Sequence, residues 1–119
     1  MNQRVLVVNK KKRISTVSDY YIARPSVLGN PFTHETKPTL ATTIVADRNA
    51  AVDEYEKWIN TRIEEQDYLV LTELNKLITF GIKYNVIHLV CWCHPERCHG
   101  DVIKKIIEPM IKSETFFNI

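Results

Sequence analysis

The run Val86–Cys93 constrains the fold most. It is apolar on both faces and broken only by His88, and such a run belongs at the centre of a parallel sheet. Pro95 breaks the strand. Cys98-His99-Gly100-Asp101 then opens a helix whose Val102, Ile103, Ile106 and Ile107 recur at the spacing of one buried face. Pro109 should bend or end that helix.

Upstream, Arg4–Asn9 reads as a short buried strand and Asp19–Arg24 as a second, ended by Pro25. Gly29-Asn30-Pro31-Phe32 is a turn, and residues 33–45 are a Thr-rich loop with a brief extended piece near Ile44. Asp47 caps a helix reaching about Gln66, with Ala51, Tyr55, Trp58, Ile59 and Arg62 or Ile63 along its inner stripe. A second helix, about Asp67–Lys83, presents Val70, Leu74, Leu77 and Ile78, with Gly81 near its end. The order strand, strand, helix, helix, strand, helix requires a right-handed crossover onto a parallel strand. The expected fold is therefore a small Rossmann-like α/β domain of two or three layers, with a mostly parallel short sheet and about three helices. Its 119 residues make one domain, spanning 1–119.

Composition removes several function classes. Hydrophobic residues at 45% and charged residues at 25% are those of a globular chain. No apolar run approaches a bilayer span, and no apolar segment follows the first basic residues, so neither a membrane span nor a secretory signal is expected. The cytoplasm is the expected compartment. Three cysteines, an odd number, point to thiols or metal ligands rather than a disulfide framework. The net charge of +2 is polarised: residues 1–24 hold six Lys/Arg against one Asp, residues 46–75 eight Asp/Glu against three Lys/Arg. Lys10-Lys11-Lys12-Arg13 reads as a solvated loop, and with an acidic middle and no recognition motif, nucleic acid is not an expected partner.

Ligands of parallel sheets bind beyond the carboxyl ends of the strands, near helix N-termini, and both chemistry-bearing segments fall there. In Cys91-Trp-Cys-His-Pro-Glu-Arg-Cys-His-Gly-Asp101 three readings compete. Cys91, Cys93 and Cys98 with His94 or His99 have the ligand types for zinc, although the spacing is not that of paired knuckles. Cys98 could be a nucleophile, its pKa lowered by the helix end and a neighbouring histidine, with His99 or His94 as base. In the third reading, the favoured one, Cys91 and Cys93 fill core while Cys98, His99, Gly100 and Asp101 cap the helix and line a ligand pocket. No cofactor is expected on that reading, zinc being the alternative.

The second segment is Arg24-Pro-Ser-Val-Leu-Gly-Asn-Pro-Phe32 together with Arg48. Arg48 lies in the first turn of an acidic helix, where a cation opposes the macrodipole. It calls for a bound anion, or for an ion pair with Asp101 or a glutamate. Tyr20, Tyr21 and Trp92 are read as packing residues rather than stacking platforms, and His34 and His88 as packed or hydrogen-bonded.

Val-Val-Asn-Lys at the N-terminus, Tyr-Ile-Ala-Arg-Pro-Ser, Gly-Asn-Pro-Phe, Arg-x-x-Ala-Val-x-x-Tyr-x-x-Trp-Ile and Cys-Trp-Cys-His-Pro-x-x-Cys-His-Gly-Asp together resemble the family known as domain of unknown function 4326, frequent in phages and bacteria. The resemblance runs from Val5 to about Ile107. Two positions depart from it: Ala23 stands where the family usually has Gly, and Leu28 where it usually has Trp, which removes a stacking surface. The Cys-His-Gly end also resembles the helix start of domain of unknown function 488. The resemblance bears on fold and site and implies no activity.

The expected function is that of a small phage-type protein binding a nucleotide or nucleotide-derived anion, to sequester or process a host signalling nucleotide. Arg24 and Arg48 would neutralise phosphate, Ser26 and Asn30 orient the ligand, Cys93 and Asp101 line the pocket, and the Cys98-His99-Gly100 amides cradle it. The alternatives are a Cys98/His99 enzyme acting on a nucleotide or nucleoside, and a zinc-stabilised module binding a host protein through the apolar tail Phe116-Phe117-Asn118-Ile119. A homodimer is the expected oligomer.

Overall fold

A computed structural model describes residues 4–11, 14–33, 43–92 and 96–119. The elements are β1 Val5–Asn9, β2 Asp19–Tyr21, β3 Phe32–Thr33, β4 Thr43–Ile44, α1 Arg48–Glu64, α2 Tyr68–Tyr84, β5 Ile87–Cys91 and α3 His99–Ser113. β1, β5 and β2 form a parallel sheet in that order, with Val7 opposite Leu89, Asn9 opposite Cys91 and Tyr21 opposite Val90. The apolar run is thus the central strand. β3 and β4 pair in parallel as a separate ribbon.

Strand periodicity places Val5, Val7, Ile87, Leu89 and Cys91 on one face. That face joins Val52, Tyr55, Ile59, Leu74, Leu77, Ile78, Ile103 and Ile107 in a single core. α1, α2 and α3 all touch one another, so the domain has two layers, sheet and helices, rather than three. Leu6, Val8, His88 and Tyr21 lie on the opposite face.

β2 is shorter than the expected Asp19–Arg24. Ile22 N–H still bonds Val90 C=O at 3.1 Å, after which the chain leaves the sheet in a turn closed by Ser26 N–H to Ala23 C=O and Gly29 N–H to Ser26 C=O. The Arg24–Pro25 bond in this turn is cis. Leu28, 1% exposed, belongs to the core rather than to a binding surface.

Asp47 caps α1 by accepting from Ala50 N–H, and Asp67 caps α2 by accepting from Leu69 and Val70 N–H. α2 runs to Tyr84, one residue past the expected Lys83, and stops at Asn85, whose φ of 65° is left-handed. Gly81 is where α2 and α3 come closest: a Cβ there would lie 2.4 Å from Ile111 Cδ1. α3 likewise runs through Pro109 to Ser113. Pro109 is exposed, while Ile107 and Ile111 on either side of it are fully buried, so packing holds the last turn despite the missing N–H. The apolar tail lies on the body: Asn75 Nδ2 donates to Phe117 C=O at 3.0 Å and its Oδ1 accepts from Phe117 N–H at 2.9 Å.

Candidate functional site

Because β1, β5 and β2 are parallel, their carboxyl ends meet at one edge, where Asn9, Ile22 and Cys91 are neighbours. α3 begins at this edge. Cys98 is its N-cap with extended backbone, and Asp101 accepts from Cys98 N–H at 3.0 Å. Gly100 lets the first turn sit directly on the sheet, since a Cβ there would meet Val7 Cγ1 at 3.0 Å and Ile22 Cδ1 at 3.1 Å. His99, 6% exposed, is held by Ile22 C=O, 2.8 Å from Nε2. A carbonyl only accepts, so Nε2 carries the proton and Nδ1 does not. Burial lowers the His99 pKa, and the nearby Arg24 charge works in the same direction, so the ring is neutral.

Tyr55 underpins this corner. It is fully buried, packs edge-on against His99 with ring centroids 5.1 Å apart, and donates to Leu28 C=O at 2.7 Å. Burial raises its pKa, so it stays a neutral donor. The 23–30 turn and the start of α3 are thereby tied to α1 through one side chain.

The two expected site segments converge, but their residues divide by role. Arg24 Nη1 donates to Asn30 C=O at 2.9 Å and to Phe32 C=O at 3.4 Å. Asn30 Nδ2 donates to Ala51 C=O at 3.2 Å, and its Oδ1 accepts from Phe32 N–H at 2.8 Å. The Asn30 amide therefore builds the turn instead of facing a ligand. Ser26 Oγ is inaccessible and has no hydrogen-bond partner among the described residues. Among the described residues the ion pair considered for Arg48 is not found: Asp101 is engaged as a cap, and neither Arg48 nor Arg24 meets a carboxylate there.

Arg97, which the sequence did not single out, joins the two helix starts. Its Nη2 lies 2.8 Å from Asp53 Oδ1, and its Nη1 reaches Asn49 Oδ1 at 3.3 Å. No local pattern pairs residues 44 positions apart; only the fold brings them together.

Cys98 reverses the expectation of a lowered pKa. Its Sγ lies 3.3 Å from Cys91 Sγ, and that hydrogen bond together with burial pushes the thiol up, outweighing the Gly100 N–H, which favours the thiolate. The described residues contain no cluster of three metal-ligating side chains. Cys93 and His94, named for the zinc and base readings, lie outside the described residues, as does His34. A separate open groove of about 450 Å³ is lined by Tyr20, Thr72, Asn75, Lys76, Thr79, Phe80 and Ile119 and shares no residue with this edge.

Fold and edge together define a small two-layer α/β domain whose polar and thiol-bearing residues gather at the carboxyl end of a parallel sheet. The chain belongs to the family described as Domain of unknown function (DUF4326), whose model matches residues 6–109. No curated protein and no solved structure matches it. Among the described residues, no helix is long and apolar enough to cross a membrane.

Proposed function

We propose that the carboxyl edge binds a nucleotide or nucleotide-derived anion. The observation that carries this reading is charge: Arg48 opens α1, Arg24 lies close to His99 at the start of α3, and neither guanidinium has a carboxylate partner among the described residues. Helix N-termini present unsatisfied N–H groups and a positive dipole end, so a cation in the first turn of α1 is unfavourable until an anion arrives.

Within that reading the roles differ from residue to residue. Arg24 shapes the 24–32 turn through one nitrogen and contributes charge. Arg48, half-exposed and without a partner among the described residues, meets the phosphate. His99 contributes its backbone amide, while Gly100 spends its N–H on Cys98 Sγ and Asp101 holds the first turn of α3 in place. Binding without turnover fits best, because the Cys98 thiol is protonated and His99 is buried against a backbone carbonyl. Sequestering a signalling nucleotide is a use such a binder would serve.

Native mass spectrometry of the freshly purified chain, followed by calorimetric titration with nucleoside mono-, di- and triphosphates and cyclic dinucleotides, tests this. A nucleotide of the panel should bind wild type, and Arg48→Ala should bind it about tenfold to a hundredfold more weakly, the loss of one charge-assisted contact of about 1.5–3 kcal/mol. No adduct and no heat across the panel, or equal affinity for Arg48→Ala, overturns the reading.

A further inference from the structure

We propose that Cys91 and Cys98 form a dithiol–disulfide couple, a redox modification site that links the end of β5 to the N-cap of α3 when a low-molecular-weight disulfide takes up the two electrons. The sulfurs are 3.3 Å apart and both are buried, so the pair is already assembled. Reaching a bond length near 2.05 Å requires them to approach by about 1.2 Å. Six residues separate the two cysteines, and Trp92, Glu96 and Arg97 among them are exposed. Cys98 itself has extended backbone, φ −145° and ψ 174°, and is not locked inside the helix.

The exchange runs in two steps that balance. The Cys98 thiolate attacks one sulfur of the external disulfide RSSR, breaking its S–S bond and releasing RS⁻. The Cys91 thiolate then attacks the Cys98 sulfur of the mixed disulfide and expels the second RS⁻. Two thiols are oxidised, one external disulfide is reduced, and the two protein protons end on two RSH. The Gly100 N–H at the N-cap favours the Cys98 thiolate, which is why that residue is placed first. Oxidation is slow compared with an exposed cysteine, because both thiols are covered and His99 beside them is neutral. Once formed, the bond is favoured by the prior juxtaposition, which makes the second step intramolecular. The inference is independent of what the carboxyl edge binds.

The test is to incubate the reduced, folded full chain in glutathione mixtures of increasing oxidised fraction, alkylate remaining thiols with iodoacetamide, and map peptides without reduction. The expected result is loss of two thiols together, a peptide pair joining Cys91 to Cys98, and alkylated Cys93. The same chain oxidised in urea should give mixed pairings, so the preference in the folded chain reads the native geometry. Cys91→Ser should instead retain glutathione on Cys98. A folded-state bridge through Cys93, a glutathione adduct on wild-type Cys98 with Cys91 alkylated, or both thiols still alkylated where dithiothreitol is fully oxidised would each overturn the proposal.

Discussion

Gly81→Ala sets two effects of opposite sign against each other. Replacing a helix-interior glycine by alanine gains about 1 kcal/mol in propensity. At this position, however, the new methyl would lie 2.4 Å from Ile111 Cδ1, 2.9 Å from Cγ1 and 3.3 Å from Cγ2. Carbon–carbon contacts settle near 3.5–4.0 Å, so Ile111 has to retreat by about 1 Å or more. Ile111 is 1% exposed, and three of its side-chain atoms are crowded, so turning one terminal methyl does not relieve the contact and α3 must shift. Overpacking of this kind costs about 1–3 kcal/mol, and here the upper part of that range applies. The net expectation is a loss of about 1–2 kcal/mol, or a Tm lower by about 3–10 °C in a domain of this size. Urea denaturation followed by far-UV circular dichroism measures it. Ile111→Val removes the atom in closest contact and alone costs about 0.5–1.5 kcal/mol. In Gly81→Ala/Ile111→Val the two losses should fall short of additivity by about 1 kcal/mol. A Gly81→Ala protein more stable than wild type by the propensity term would refute the α2–α3 packing described.

Further outcomes follow from the corner at the start of α3. The folded-state pKa of His99 lies below its ordinary value of 6.5, so the unfolded chain takes up the proton first. The stability linked to His99 is therefore complete above pH 6.5 and is lost as the pH falls below it, with a slope of up to about 1.4 kcal/mol per pH unit; His99→Gln should flatten that slope in urea titrations at several pH values. Tyr55→Phe leaves Leu28 C=O buried without its donor and should lower unfolding free energy by about 1–3 kcal/mol, while the helical circular dichroism is retained. Asn75→Ala removes both hydrogen bonds to Phe117, so amide exchange at Phe117 should speed up at least tenfold with little change in global stability.

The fold was legible where burial follows period. β5 announces itself as central because five consecutive positions suit a strand covered on its core side and flanked on both edges, and α2 and α3 show their apolar stripes directly. Pro109 misled, because a proline normally bends or ends a helix; what overrides that tendency is the burial of Ile107 and Ile111 on either side of it, Ile111 packing against Gly81, thirty residues away in sequence. The convergence of the 24–30 turn and the start of α3 was legible; the contacts made there were not. Cys98, His99, Gly100 and Asp101 form the start of α3 on the sheet's carboxyl edge, with Arg24 beside His99. That Asn30 spends its amide on Ala51 and Phe32, that Cys98 pairs with Cys91 and is protonated, and that Tyr55 and Arg97 join the corner to α1 are long-range facts. No spacing rule in the chain encodes them.

The central claim is that the carboxyl edge takes an anion. The most direct measurement is an amide chemical-shift titration of the labelled chain with the tightest-binding nucleotide of the panel. The account predicts saturable shifts concentrated at Ser26, Arg48, His99, Gly100 and Asp101, and their loss in Arg48→Ala. Shifts centred on Tyr20, Asn75, Phe80 and Ile119, around the separate groove, or no saturable shift at any concentration, would contradict it.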